Sequence, residues 1–125
     1  MQPVSSNSNE DYLKLGVKVA FFDEFIERAG GRSGRIRDYN THSMWQNFVI
    51  PWTRKSETSY CQLLQNENPS VVGEAEVFIS HVWDYVFVNV VNVLNYHFRN
   101  APDAIVWYDP FSNSEHNSNF SNPIW

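Results

Sequence analysis

The stretches that decide the fold are residues 75–81, AEVFISH, and residues 104–109, AIVWYD. Each is a short apolar run that ends in polar side chains, which predicts two strands. Between them, residues 85–98 place Phe87, Val91 and Leu94 on one helical face, which predicts a helix. A strand, a helix and a strand within about 35 residues form a βαβ unit. Its crossover is expected to be right-handed, so the carboxyl ends of both strands should lie at one sheet edge.

That edge is the place where open α/β sheets bind ligands. It should carry five candidate binding residues, namely Ser80, His81, Trp83, Asp109 and Phe111. The residue types fit a nucleotide, because carboxylates bind ribose hydroxyls and aromatic rings stack on bases. The sequence assigns no catalytic residue to this edge.

Each candidate also has a structural interpretation. His81 fits a general base or a phosphate contact, and equally a hydrogen bond that ties the strand to the next loop. Asp109 binds a ribose hydroxyl or caps a turn. Ser80 contacts a ligand or caps the following helix. Trp83 and Phe111 stack on a ligand or belong to the core.

The first part of the chain has a different pattern. Residues 1–15 are predicted to be a disordered polar lead, and residues 16–72 a helical preface to the α/β part, residues 73–125. Apolar residues at helical spacing predict a helix from Val17 to the pair Gly30-Gly31. A second short helix should stop at Pro51, and a third should follow near Tyr60.

Composition and charge narrow the function. The net charge is −5, and residues 71–125 hold six acidic side chains and one basic side chain, Arg99. Nucleic-acid binding needs clustered Lys and Arg, so we do not expect residues 71–125 to bind nucleic acid. The one basic cluster, residues 28–37, is expected to be a solvated loop.

No apolar run is long enough for a membrane span. The lone cysteine, Cys61, favours a reducing compartment and a cytoplasmic location. The histidines and Cys61 show no metal-ligand spacing, so no metal site is predicted.

Beyond these patterns, the chain resembles TIR-like domains of fungi, protists and bacteria. Its strand segment FISH, followed after a helix by VWYD, is similar to the opening of TIR domains. The following residues match the pattern as they stand: Pro51, Thr53, Ser59, Tyr60, Cys61, Val72, Gly73, Ala75, Ser80, His81, Trp83, Trp107, Asp109, Phe111 and Ser112. The looser resemblance covers residues 16–125, and the TIR-like part covers residues 75–125.

The resemblance implies a flavodoxin-like, TIR-type parallel sheet, present here as its first βαβ unit after the helical segment. It also implies either self-association as a signalling or interaction module, or cleavage of NAD as substrate, with no resident cofactor. Enzymatic TIR domains place a catalytic glutamate on a later helix, and these 125 residues hold no counterpart. We therefore expect an interaction module of an immune- or incompatibility-type protein, with an incomplete sheet and no activity of its own.

Overall fold

The computed structural model describes residues 14–79 and 83–114. The strands there are β1 (Leu15–Lys18), β2 (Val72–Glu74), β3 (Val77–Phe78) and β4 (Ile105–Trp107). The helices are α1 (Phe21–Arg28), α2 (Thr41–Met44), α3 (Ile50–Thr53), α4 (Tyr60–Glu67), α5 (Phe87–His97) and α6 (Asp109–Ser112). A π-helical segment, Trp45–Val49, joins α2 to α3, and two 3-10 turns span Arg35–Asp38 and Pro69–Val71.

The sheet is mixed, with strand order β2-β1-β4-β3. β3 and β4 are parallel, with Val77 opposite Val106 and Phe78 opposite Trp107, and α5 connects them. The predicted βαβ unit and the α/β class are thereby confirmed. The prediction of a wholly parallel sheet is wrong, because β1 runs antiparallel to both β2 and β4.

Strand β1 was not predicted. The sequence predicted a helix from Val17, but Leu15–Lys18 is a strand and the helix begins at Phe21. The segment is a strand and not a helix because it pairs with strands that are distant in sequence. β1 is hydrogen-bonded on both sides, and Val17 is fully buried. Gly16 permits the pairing, because a Cβ at this position would collide with the backbone carbonyl of Val106.

The predicted strand near residue 75 is divided in two. Ala75 still donates its N–H to the Lys14 carbonyl at 2.8 Å, beside β1, whereas Glu76 donates to the Ile105 carbonyl at 2.8 Å, beside β4. The chain therefore changes partner between these two residues. As a consequence, β3 lies at the outer edge of the sheet and β4 lies inside it.

The second helical segment does not end at Pro51 as predicted. Helical backbone continues through the π-helical segment and α3 to Thr53. Pro51 stands in the first turn of α3, directly after the π-helical segment. The buried Thr53 hydroxyl donates to the Val49 carbonyl at 2.7 Å and ties the last turn to the π-helical segment.

An aromatic core joins the first and second parts of the chain. The ring of Phe25 lies 5.6 Å from Tyr60, 5.6 Å from Phe87 and 4.8 Å from Phe111, so α1, α4, α5 and α6 all contribute to one cluster. Full burial of such a side chain stabilises the fold by about 1.5–3 kcal/mol. The segment predicted as a helical preface therefore packs directly on the βαβ unit, and Leu15, at the end of the predicted lead, starts β1.

Candidate functional site

The carboxyl ends of β3 and β4 lie together, as the sequence predicted. The Ile79 N–H donates to the Trp107 carbonyl at 2.9 Å, and the Phe78 ring stacks on the Trp107 ring at 5.4 Å. Ser80 and His81 follow immediately but lie outside the described residues. Their assignment as ligand-binding residues stays a prediction.

Asp109 is placed at this edge as the first residue of α6. Its carboxylate accepts a hydrogen bond from the Asn113 side chain at 3.1 Å. Partial burial raises the pKa of Asp109 above its ordinary value, and the bond from Asn113 opposes the rise. An acid in the first helical turn is stabilised by the helix dipole, so the observed contacts match the capping interpretation and leave the ribose role a prediction.

Trp83 packs on the start of α2. Its ring centroid lies 6.0 Å from His42 and 5.3 Å from Trp45, and its carbonyl accepts the His42 N–H at 3.2 Å. His42 is exposed and the two indoles are half-buried. This arrangement fixes Trp83 at the surface with two partners that sequence reasoning did not single out.

Phe111 is a core residue. Its exposed fraction is 0%, and it lies 5.3 Å from Phe22 and 5.3 Å from Tyr60. The ring therefore anchors α6 to the core and has no exposed surface that a ligand could contact. Among the sequence candidates that the structure describes, Trp83 and Asp109 are the two with accessible side chains.

An accessible apolar groove of about 550 Å³ runs between β3 and α5. We call this region the β3–α5 surface and define it by its exposed apolar residues: Val77, Tyr85, Val86, Val93 and Tyr96. It arises because α5 is apolar on more than one face. Phe87, Val91 and Leu94 enter the core, whereas Val93 remains 66% exposed. The sequence contained this signal as extra valines outside the predicted buried face.

The basic cluster after α1 is not a free anion-binding patch. Arg28 pairs with Glu24 at 2.7 Å, Arg32 pairs with Asp23 at 2.8 Å, and the Arg35 guanidinium lies 5.9 Å from the centre of the Phe48 ring. Arg32 also donates to the side chain of Asn92 in α5 at 3.0 Å. Arg28 and Arg32 are therefore solvent-exposed, as predicted, and are also engaged in surface ion pairs, which contribute little to stability.

No helix within residues 14–79 and 83–114 combines the length and apolar character that a bilayer span requires.

Comparison with known proteins finds no matching family model, no similar curated protein and no similar solved structure.

Proposed function

We propose that this chain is a homotypic interaction module, in which two copies associate through the β3–α5 surface. The observation that most supports this is the concentration of exposed apolar side chains there. Tyr85, Val93 and Tyr96 are 59%, 66% and 69% exposed. Contiguous apolar patches of this kind mark interaction sites on soluble proteins.

A second copy is a suitable occupant because the surface includes a sheet edge. β3 is the last strand on its side, so part of its backbone faces outward and accepts pairing with another strand. A two-fold arrangement places the same patch on both sides of the contact. The short β3 limits backbone pairing, so the side chains around it must supply most of the contact.

The charges along α5 are self-complementary in this arrangement. Asp84 lies just before the helix and Arg99 just after it, at opposite ends of an 11-residue helix. Two helices that face each other antiparallel place Asp84 of each copy beside Arg99 of the other. The nearby Glu76 carboxylate accepts the Ile105 N–H at 3.1 Å and is already engaged.

The size of the surface indicates a weak complex. With an area of about 150–250 Å² for each aromatic side chain, the exposed fractions give on the order of 500 Å² per copy. The total of about 1,000 Å² is at the lower limit for specific interfaces. We therefore expect a weak, transient complex that forms at high protein concentration.

Sedimentation equilibrium over a wide concentration range tests the proposal. Val93→Glu should abolish association, because it places a charge in the apolar contact. Gln65→Glu, which adds the same charge at an exposed position of α4, should leave association unchanged. A wild-type chain that stays monomeric at about 1 mM, or a Val93→Glu chain that still dimerises, would contradict the proposal.

A charge exchange tests the two-fold geometry. Asp84→Lys and Arg99→Glu should each weaken association, and the double variant should restore it, since both pairs are re-formed with reversed signs. Failure of the double variant to recover, with Val93→Glu still disruptive, would replace the antiparallel arrangement by another one on the same surface.

The module is of the signalling type that the TIR-like resemblance implies, and we place it in the cytosol on the basis of its lone cysteine.

NAD cleavage is the second candidate function. The feature that favours it is Asp109 at the shared carboxyl edge of β3 and β4. We expect no nicotinamide release when the purified chain is incubated with NAD. Turnover that disappears in Asp109→Ala would make the enzyme the better interpretation.

A further inference from the structure

Phe78 presents its backbone groups to the outer edge of the sheet. It stands opposite Trp107, whose carbonyl accepts the Ile79 N–H at 2.9 Å. In a parallel pair, a residue that bonds to the neighbours of its opposite residue leaves the N–H and C=O of that opposite residue directed away from it. The Tyr108 N–H is engaged elsewhere, since it donates to the Ser112 hydroxyl at 3.2 Å. Within the described residues no strand lies beyond β3, so the N–H and C=O of Phe78 face outward.

The Phe78 side chain lies on the face of the sheet opposite to α5. Val77 and Ile79 line the groove of the β3–α5 surface, and side chains alternate along a strand, so Phe78 points to the other face. There its ring stacks on the Trp107 ring, with centroids 5.4 Å apart and planes inclined by 20°. The ring is still 65% exposed. Because Trp107 covers it from the inner strand, its other side faces the same outer edge as the backbone groups.

This edge is complementary to a second copy of itself. A two-fold axis that relates two edge strands makes them antiparallel neighbours that share one contact surface. In an antiparallel pair centred on Phe78, the two equivalent residues exchange both N–H···O=C bonds. The two Phe78 side chains then lie on the same face, with Cβ atoms about 4.5–5.5 Å apart. The outward backbone groups and the uncovered side of the ring are both used in this arrangement.

We infer that two copies join their β3 strands around Phe78 and form one continuous sheet, with a stack of Trp107 and Phe78 rings from both copies across the junction. The inference rests on the proposed association through the β3–α5 surface and gives that association a register. The α5 helices of both copies lie on the same face of the joined sheet, as their antiparallel contact requires. The exposed part of Phe78 adds roughly 100–160 Å² per copy to the contact.

Amide hydrogen exchange of the wild-type chain, followed by NMR at increasing protein concentration, tests the backbone contact. In dilute protein the Phe78 amide should exchange rapidly because its N–H faces solvent, whereas the Ile79 amide is already bonded to Trp107. As copies associate, exchange at Phe78 should slow in proportion to the associated fraction, and exchange at Ile79 should change little. Val93→Glu should keep the Phe78 amide in fast exchange at every concentration.

A mixed sample of ¹³C-labelled and unlabelled chains tests the register. Pairing centred on Phe78 places Val77 of one copy opposite Ile79 of the second copy. This is a non-hydrogen-bonded pair, whose Cα atoms approach to about 4.5 Å. We therefore expect an intermolecular NOE between the α-hydrogens of Val77 and Ile79.

Two variants at position 78 test the ring stack by sedimentation equilibrium. Phe78→Tyr keeps the ring and should associate like the wild type. Phe78→Leu keeps an apolar side chain without the stack and should weaken association about two- to tenfold. Association of Phe78→Leu at wild-type strength would overturn the ring stack. A wild-type chain that associates with unchanged exchange at Phe78, or without the Val77–Ile79 NOE, would overturn the inference and leave the proposed function standing, whereas a chain that stays monomeric would overturn both.

Discussion

The two fully buried tyrosines of the aromatic core allow one prediction to be tested with a matched pair of variants. Tyr60 and Tyr108 are 2% and 0% exposed, and both pack against Phe111, at 5.3 Å and 5.1 Å. Their hydroxyls differ, since that of Tyr108 bonds to Thr41 at 3.5 Å and that of Tyr60 has no partner among the described residues. Replacement by phenylalanine keeps each ring and removes only the hydroxyl.

We expect Tyr60→Phe to raise the free energy of unfolding and Tyr108→Phe to lower it. Removing an unsatisfied buried hydroxyl relieves a desolvation cost of about 1–3 kcal/mol. The small void left behind offsets about 0.5 kcal/mol of that gain. Tyr108→Phe should lose about 0.5–1.5 kcal/mol, the net contribution of one hydrogen bond. The two variants should therefore differ in sign and by more than about 1 kcal/mol.

Urea unfolding followed by tryptophan fluorescence measures both values, and an unchanged m-value keeps the comparison valid. In thermal melts, 1 kcal/mol corresponds to roughly 3–5 °C for a chain of this size. Tyr85→Phe, at a 59% exposed position, is the control and should change stability by less than about 0.5 kcal/mol. If Tyr60→Phe loses as much stability as Tyr108→Phe, its hydroxyl has a partner and the reasoning is refuted.

Three further predictions concern packing and ionisation. Gly16→Ala should cost about 1–3 kcal/mol in urea unfolding, because the new methyl meets the rigid Val106 carbonyl, whereas Gly73→Ala should cost less, because it meets a movable side-chain tip. Burial raises the pKa of the Cys61 thiol to about 12, so a thiol reagent should leave it unmodified until denaturant is added. Burial raises the pKa of Tyr60 from 10.0 to about 12. Since the unfolded chain then loses this proton first, the contribution of Tyr60 to stability should stay constant below about pH 10 and be lost between pH 10 and 12, so stability should fall less steeply over that range in Tyr60→Phe.

The sequence was sufficient to predict the βαβ unit because its signals are local. The apolar runs of β3 and β4 and the helical spacing of Phe87, Val91 and Leu94 are all visible within short windows. The strand β1 was missed because Leu15–Lys18 is only four residues long and its Val17 also fits a helical stripe. Whether such a segment becomes a strand depends on partners far away in the sequence.

The candidate sites were predictable to a smaller extent. The neighbouring carboxyl ends of β3 and β4 follow from the parallel pairing of a βαβ unit and were predicted together with Asp109. The burial of Phe111 and the unsatisfied hydroxyl of Tyr60 depend on tertiary packing, which no local pattern encodes. An aromatic residue next to a predicted sheet edge is equally compatible with a ligand contact and with the core.

The insertion of β1 between β2 and β4 also determines where the exposed edge lies. Two parallel strands alone would leave an open edge at the second strand, β4. In the structure β1 covers that side of β4, so β3 forms the outer edge. The Val77 side chain of β3 and the second apolar face of α5 then remain uncovered together, because both lie beyond the last strand pairing that the described chain makes. A second copy that covers the edge of β3 must also cover α5, which is why a single substitution at Val93 is expected to disrupt pairing along the strand as well as along the helix.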